Sequence, residues 1–317
     1  MHKSIFSFFS GSHDANLSVC LDNKVYTIEL ERIFGNRYFS INTLIKEEQY
    51  EDLCQYLKKI LDEKGMLRPN YDVGMFEWWT KQELVDFMVR FFNINEIHHQ
   101  NDFTYHHRSH ASGAFYSSGF EEALIFSHDG SGNDGTFCVY EVSKDRPSFQ
   151  QINDYEFKPY PTKYSKLSSF NSEISKREGD LASELGGAGK IMGLSAYGSY
   201  NEDFFNRIIP YFKSNKEGID TVFLENFGEF RYNQFEGKQS YDFAYNVQYA
   251  FETCFLERFH EFFDPNKHKN VCLTGGAALN VILNEKLSKA YPDTNFFVPS
   301  SPGDSGLSYG MITAYMK

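Results

Sequence analysis

Short β-prone runs followed by helical runs appear twice along the chain, and this repetition constrains the fold most strongly. "KSIFSFFS", "LSVCLD" and "KVYTIEL" are separated by "GSHDAN" and "DN", which predicts a β-meander with a hairpin turn at Asp22 and Asn23. A helical run follows. Later, "EEALIFSHDGSGNDGTFCVYEV" predicts a second hairpin, and "KNVCLTGGAALNVILNEKLSKA" and "NFFVPSSPGDSGLSYGMITAYM" each predict strand, turn and helix. We therefore expect two similar α/β halves around a cleft.

The bulk composition bounds the class of protein. With 317 residues the chain is long enough for one domain of two approximate subdomains, 1–140 and 141–317. A net charge of −12 argues against binding a nucleic-acid backbone. The 5 cysteines are scattered without a CxxC pair, which indicates reduced thiols and a cytoplasmic protein. No apolar run is long enough to span a membrane.

Six of the 10 histidines lie between His98 and His128. His106 and His110 are four apart, so on a helix both imidazoles project from one face and could bind one metal ion. Asp129 and Asp304 are acids at glycine-flanked tips, where a backbone approaches a ligand closely. Imidazoles that line a core beside aromatic side chains, or a simple bias of composition, remain the alternatives.

Three glycine loops could offer backbone N–H groups to an anion: "SGSHDAN" (10–16), "DGSGNDG" (129–135) and "LTGGAALN" (273–280). Actin-like ATPases and sugar kinases use two hairpin loops and a strand–GG–helix element in this way, although each loop could equally be only a turn. Lys190, in "ASELGGAGKIMGLSAYGSY", could reach a phosphate or lie in a solvated surface loop. Residues 145–186 are expected to be irregular, apart from a candidate strand at "QINDYEF" (151–157).

A covalent nucleophile is poorly supported. No GxSxG occurs, and the adjacent Ser127, His128 and Asp129 cannot form a triad because neighbouring strand residues point to opposite faces.

The motifs taken together resemble the O-carbamoyltransferases of antibiotic and nodulation-factor biosynthesis. They run in order as "GSHDAN", "ERIFGNRY", "HHRSHASGAFYSSGFEEAL", "DGSGNDGT", "GKIMGLSAYG", "DFAYNVQYAFE", "LTGGAALN" and "PGDSG". The resemblance implies the duplicated α/β fold of actin-like ATPases and sugar kinases, related to the tRNA threonylcarbamoyl-transfer enzyme.

The resemblance also implies a site. A divalent metal, with iron(II) expected and zinc or manganese as alternatives, would bind His106, His110, Asp129 and Asp304. Carbamoyl-adenylate, made from carbamoyl phosphate and ATP, would lie near Gly130, Gly132, Lys190, Gly275, Gly276 and Asn280. His13 would act as the base for an acceptor hydroxyl, because its pKa suits proton transfer, with Asp14 orienting it.

Two departures from the family pattern bear on function. Members usually continue into a YrdC-like domain that makes the adenylate, so a separate YrdC-like protein or second subunit, another donor, or loss of transfer is expected here. The acid after DGxG is Asn133, with Asp134 one place later.

The sequence therefore favours a carbamoyltransferase acting on a hydroxyl of a small molecule, sugar or nucleoside, with a homodimer as an open option. The alternatives are tRNA threonylcarbamoyl transfer, a kinase on the same fold, or a non-catalytic nucleotide-binding scaffold.

Overall fold

The computed structural model describes residues 3–155, 160–174, 181–215, 221–228, 231 and 233–316. Their strands form two five-stranded sheets, ordered β3-β2-β1-β4-β5 and β10-β9-β6-β7-β8. In each sheet an antiparallel meander supplies three strands. The first strand of the meander pairs in parallel with a fourth strand, and the fourth pairs in parallel with the fifth. The two sheets therefore repeat one topology.

The strands have the following bounds: β1 Ile5–Phe9, β2 Asn16–Leu21, β3 Lys24–Glu29, β4 Tyr71–Phe76, β5 Ile94–His99, β6 Glu122–His128, β7 Phe137–Ser143, β8 Arg146–Gln151, β9 Asn270–Thr274 and β10 Asn295–Phe297. The α-helices are α1 Leu30–Phe34, α2 Ile41–Leu44, α3 Tyr50–Glu63, α4 Gln82–Phe91, α5 His106–Ser118, α6 Tyr160–Leu167, α7 Leu181–Ser195, α8 Glu202–Lys213, α9 Thr221–Phe227, α10 Lys238–Phe262, α11 Val281–Ala290 and α12 Leu307–Tyr315.

The first strand shows why the first sheet is covered on both faces. Phe6 and Phe8 of β1 point into a core shared with α3 and α4. The alternate residues Ile5 and Phe9 pack against Leu307 and neighbouring side chains of α12. Burial of each of these large side chains contributes on the order of 1.5–3 kcal/mol. The pattern is apolar on both faces, as expected of a central strand.

Helices α5 and α12 lie between the two sheets. α12 packs on β1 and β2, α5 packs on β6 and β9, and the two helices pack against each other. Their backbones approach closely at Gly310, where an added Cβ would lie 2.1 Å from Ser109 O. The absence of a side chain at this position therefore brings the start of α5 and the start of α12 together, at the centre of the molecule.

The predicted duplicated α/β fold is confirmed by this topology. The expectation that residues 145–186 are irregular is wrong, because β8, α6 and the start of α7 lie within them. The candidate strand at 151–157 is not formed over 152–155, since β8 ends at Gln151, and residues 156–157 lie outside the described ranges. The single domain 1–317 and the subdomains 1–140 and 141–317 stay a prediction. The sheets themselves divide between His99 and Glu122, and α12 returns to the first sheet. Within the described ranges, no helix is both long and apolar enough to cross a membrane.

Candidate functional site

A cluster of four potential metal ligands lies where α5, α12 and the ends of the central strands meet. One ligand atom from each of His106, His110, Asp129 and Asp304 lies within 4.8 Å of the others. His106 Nε2 lies 3.4 Å and His110 Nε2 3.5 Å from Asp304 Oδ1. His110 Nε2 also lies 3.5 Å from Asp129 Oδ2. The structure thus brings together the predicted metal-binding residues, although they span most of the chain.

The loop that contains Asp129 fixes the start of α5. Asn133 Oδ1 accepts a hydrogen bond from the backbone N–H of His106, at 3.0 Å. Asp134 accepts hydrogen bonds from His107 N and Arg108 N, at 3.0 and 3.2 Å. These N–H groups have no partner within the helix, so the loop caps α5 from a distant part of the chain. The shifted acid Asp134 is thus a helix cap in this protein.

Asp129 directly follows β6, and backbone N–H groups hold its carboxylate. Gly130 N donates to Oδ1 and Gly276 N donates to Oδ2. The second bond crosses from the hairpin loop to the strand–GG–helix element after β9. Both oxygens therefore have fixed directions, and Oδ2 points at His110.

Asp304 provides the most direct test of whether the cluster fits a metal ion. It begins the short 3-10 helix Asp304–Gly306 that leads into α12, and only 9% of its surface is exposed. Its Oδ1 is buried and accepts no hydrogen bond. A buried acceptor without a partner is costly, and two imidazole nitrogens plus two carboxylates are a donor set suited to a divalent transition metal. The residues present fit such an ion.

The close approach of imidazoles and carboxylates shifts pKa values within the cluster. Burial lowers the pKa of the His110 imidazole, but the carboxylates of Asp129 and Asp304, each 3.5 Å from His110 Nε2, raise it to about 9. Burial raises the pKa of both carboxyl groups, but the neighbouring histidines outweigh it, so that both lie below their ordinary value. At neutral pH the His110 imidazole therefore carries a positive charge that partly balances the two carboxylates.

His13 and Asp14 lie beside this cluster, in the loop between β1 and β2. His13 Nδ1 is 2.8 Å from Asp14 Oδ2, and His13 Nε2 is 3.8 Å from Asp304 Oδ2. Burial lowers the pKa of His13, but the hydrogen bond to Asp14 and the charges of Asp304, Asp14 and Asp129 raise it to about 9. Both side chains are partly exposed, so a ligand in the cleft can reach them.

Glycines let backbone and side chains approach closely around the four ligands. Gly275 has φ +83°, and an added Cβ would lie 2.2 Å from His128 O. At Gly132 an added Cβ would lie 3.0 Å from His106 Cδ2. Gly130 and Gly276 contact Asp129 through their N–H groups. These four glycines of the predicted nucleotide site therefore line the predicted metal site.

The other two predicted nucleotide residues are placed differently. Asn280 caps α11 by accepting from Leu283 N, and its side chain pairs with Gln248 in a buried network. Lys190 lies exposed on α7, so the alternative that placed it in a surface loop is wrong. A contact of either residue with a nucleotide stays a prediction.

His107 and His128 lie close to the cluster in sequence but are not among its four potential ligands. His107 is fully buried, with Nδ1 2.8 Å from Ser127 Oγ and Nε2 3.0 Å from Gly135 O. His128 is buried among the rings of Phe137, Tyr160 and Phe251. One imidazole therefore fastens α5 to β6, and the other belongs to the aromatic core.

Glu77 is a buried carboxyl near the site that the sequence did not single out. It follows β4, is 1% exposed, and its Oε1 has no hydrogen-bond partner. Burial raises its pKa well above the ordinary value, and the charges of Asp304 and Asp134 raise it further. A glutamate between a strand and two tryptophans carries no distinctive motif, so only the fold reveals this position.

Comparison with known proteins gives one family and related folds. The family described as "Carbamoyltransferase N-terminus" matches residues 41–312. The nodulation protein NolO of Bradyrhizobium diazoefficiens is 27% identical over 213 residues, which cover 65% of this chain and 37% of NolO. The chain spans 30–42% of the length of the curated relatives it matches, which is less than half.

Two solved structures share the fold at low sequence identity. HypF of T. kodakarensis superposes with a TM-score of 0.57 and 14% identity, over 99% of this chain and 49% of HypF. The activator of 2-hydroxyisocaproyl-CoA dehydratase from Clostridium difficile, solved with bound ADPNP, has a TM-score of 0.51 and 10% identity, over 99% of this chain and 95% of the activator. The fold is therefore the actin-like, ATPase-type fold of these proteins.

Proposed function

The chain belongs to the carbamoyltransferase family, and we propose that it transfers a carbamoyl group from carbamoyl-adenylate to a hydroxyl of a small molecule, sugar or nucleoside. The observation that carries this proposal is the buried, unpartnered Oδ1 of Asp304 between His106 and His110, with His13 on the other carboxylate oxygen. It provides a metal site and a titratable imidazole side by side.

The chemistry of the carbamoyl group explains why both are needed. Nitrogen donates into the carbamoyl carbonyl, so the group is a poor electrophile unless it carries a good leaving group such as adenylate. A divalent cation held by His106, His110, Asp129 and Asp304 would supply positive charge beside the leaving phosphate. The backbone N–H groups of Gly130 and Gly276 hold the Asp129 carboxylate toward the same point.

His13 is proposed as the group that takes the proton from the acceptor hydroxyl. Its Nδ1 is engaged with Asp14, which leaves Nε2 as the nitrogen that faces the site. The three carboxylates that raise its pKa include two proposed metal ligands, so neutralisation of those two charges returns the imidazole toward its ordinary range. In transfer, the bond from the carbamoyl carbon to the acceptor oxygen forms, the bond to the adenylate oxygen breaks, and AMP leaves.

The donor and the location extend the proposal. Carbamoyl-adenylate made from carbamoyl phosphate and ATP by a separate YrdC-like protein or second subunit would reach the cleft beside Lys190 on α7. A cytoplasmic location and a homodimer belong to the same proposal. Transfer to tRNA is disfavoured by the net charge of −12, and a non-catalytic scaffold is the competing assignment.

Mass spectrometry of acceptor mixtures tests the proposal. The protein, loaded with Fe²⁺ under anaerobic conditions, is incubated with carbamoyl-adenylate and hydroxyl acceptors, and products are searched for the mass of one added carbamoyl group. We expect carbamoylated acceptor and AMP with wild type and with His260→Ala, whose imidazole is exposed and contacts only Tyr291 among polar side chains described here.

Two comparisons separate the roles. His110→Ala should abolish product because it removes a ligand, whereas His13→Ala should bind carbamoyl-adenylate but turn over slowly. Loss of adenylate binding in His13→Ala would refute the base assignment. Hydrolysis to carbamate without any carbamoylated acceptor, across sugars, nucleosides and small alcohols, would refute transfer to a hydroxyl.

A further inference from the structure

Asn16 joins three separated segments at the candidate site. It is the first residue of β2 and is fully buried. Its Nδ2 donates to Asp14 O at 2.7 Å and to Asp304 O at 2.8 Å, across 288 positions of sequence in the second case. Its Oδ1 accepts from Ser308 N at 3.0 Å, in the first turn of α12. The three partners belong to the His13 loop, the Asp304 loop and α12.

The hydrogen-bond partners determine the positions of Nδ2 and Oδ1 in the Asn16 side chain. Two carbonyl oxygens face one end and an N–H group faces the other, so only the orientation with Nδ2 toward the carbonyls satisfies all three groups. Backbone pairing of Asn16 with Phe9 in β1 and Glu29 in β3 holds its Cα in the sheet. The side chain therefore transmits the position of a rigid strand to both loops.

Both loops need such support. Asp14 has φ +54°, a backbone conformation that residues with a Cβ rarely adopt, and its side chain contacts His13 Nδ1. Asp304 carries the buried, unpartnered Oδ1. The amide of Asn16 therefore holds Asp304 directly and His13 through Asp14, on the two sides of the 3.8 Å separation between His13 Nε2 and Asp304 Oδ2.

We propose that Asn16 is a positioning residue that couples the His13–Asp14 loop to the metal ligand Asp304. This inference rests on the metal site of the proposed function and adds a residue to it. Loss of the amide lets Asp304 shift, which weakens metal binding, and lets His13 move relative to the carboxylate, which slows transfer. Residues that hold ligands in place typically change metal affinity by about 10–100-fold.

Asn16→Asp is the sharpest variant because it keeps the shape and one acceptor oxygen but turns both donor contacts into oxygen–oxygen repulsion. Asn16→Ala removes all three hydrogen bonds without adding charge. Ser18→Ala is the matched control. Ser18 is buried in the same strand and its Oγ bonds Ser308 Oγ at 2.7 Å and Thr27 Oγ1 at 2.8 Å, but it contacts neither Asp14 nor Asp304.

The readout is Co²⁺ binding followed by visible absorption, with circular dichroism and denaturant unfolding to confirm the fold. We expect about 10–100-fold weaker Co²⁺ binding and an altered ligand-field band in Asn16→Asp and Asn16→Ala. Ser18→Ala should retain the wild-type affinity and band. Where transfer is measured, kcat should fall while KM for the acceptor stays unchanged.

Wild-type Co²⁺ affinity and spectrum in either folded Asn16 variant would overturn the inference, as would a wild-type protein that binds no Co²⁺. Loss of folding in both variants, with Ser18→Ala folded, would also overturn it, because Asn16 would then serve the fold rather than the site. A wild-type protein that binds Co²⁺ but carbamoylates no acceptor would refute the proposed function alone.

Discussion

His106 Nε2 and His110 Nε2 lie 3.2 Å apart on one face of α5. Together with the two aspartates they form a set that one divalent ion would satisfy, so we expect one metal per chain after anaerobic purification. His106→Ala removes a metal ligand. It should therefore lower the metal affinity by more than the loss of a supporting hydrogen bond, which typically costs about 10–100-fold. Plasma mass spectrometry measures the metal content, with His260→Ala as the control. A protein that stays metal-free after incubation with Fe²⁺, Zn²⁺ and Mn²⁺ would exclude the site.

The raised pKa values of His13 and His110 predict how stability depends on pH. Both imidazoles titrate near pH 9 in the folded, metal-free protein and near 6.5 when unfolded. Between these values the folded state binds more protons, so the free energy of unfolding should fall as pH rises from about 6.5 to about 9. Urea unfolding in EDTA at a series of pH values measures this slope, and His13→Gln should make it shallower.

Zn²⁺ should reverse the pH dependence of stability that we expect for the metal-free protein. The ion binds deprotonated His110, whose pKa in the metal-free protein is about 9, so the stabilisation that the ion adds should grow as the pH rises to about 9. A stabilisation by Zn²⁺ that is independent of pH would show that the ion binds elsewhere on the protein.

Glu77→Gln tests the buried carboxyl. Because its pKa is raised above the ordinary 4.5, the folded protein holds this proton at a pH where the unfolded chain has released it. The free energy of unfolding of wild type should therefore fall as pH rises above 4.5, and Glu77→Gln should lack this contribution and be more stable at neutral pH. Glu83→Gln, at an exposed position of α4, should change stability by at most about 0.5 kcal/mol at any pH. Identical pH profiles of wild type and Glu77→Gln would contradict the assignment.

Two glycines should respond to alanine in opposite ways. Gly275→Ala places a Cβ against His128 O at a positive φ, and should destabilise the protein by about 1–3 kcal/mol and weaken nucleotide binding. Gly189→Ala, inside α7 with nothing within 4 Å of the added atom, should stabilise it by about 0.5–1 kcal/mol. Thermal unfolding and fluorescence titration with an ATP analogue measure both effects. A stable Gly275→Ala with wild-type nucleotide affinity would remove this loop from the site.

The repeated order of strands and helices sufficed to predict the fold, because alternation and turn residues are local signals. The sequence does not predict helix α7, because this helix depends on a long-range contact and not on a local signal. Four glycines, at positions 186, 187, 189 and 193, lower its intrinsic helix propensity, and packing against α10 compensates for this. No window of sequence contains that contact.

The candidate site divides in the same way. The spacing of His106 and His110 is visible in the sequence. Asp129 and Asp304 are candidates there only as acids in glycine-flanked loops, and the family resemblance is what combines all four residues into one set. Asn16 is the last residue of the "GSHDAN" motif. Its hydrogen-bond partners are a local carbonyl and two backbone groups, Asp304 O and Ser308 N, almost three hundred residues away. Its contribution depends on hydrogen bonds that a linear pattern does not record.

The position of Asp304 at the start of α12 has a consequence for biosynthesis. A ribosome makes the two histidines and Asp129 long before it reaches the fourth ligand. β9 and β10, which complete the second sheet, and α12, which covers the first, are also made after Asp129. The nascent chain therefore carries three of the four proposed ligands for some time before the fourth is made. A chain interrupted before residue 304 would lack one carboxylate of the proposed metal site, so we expect it to bind the ion more weakly than a chain that contains Asp304.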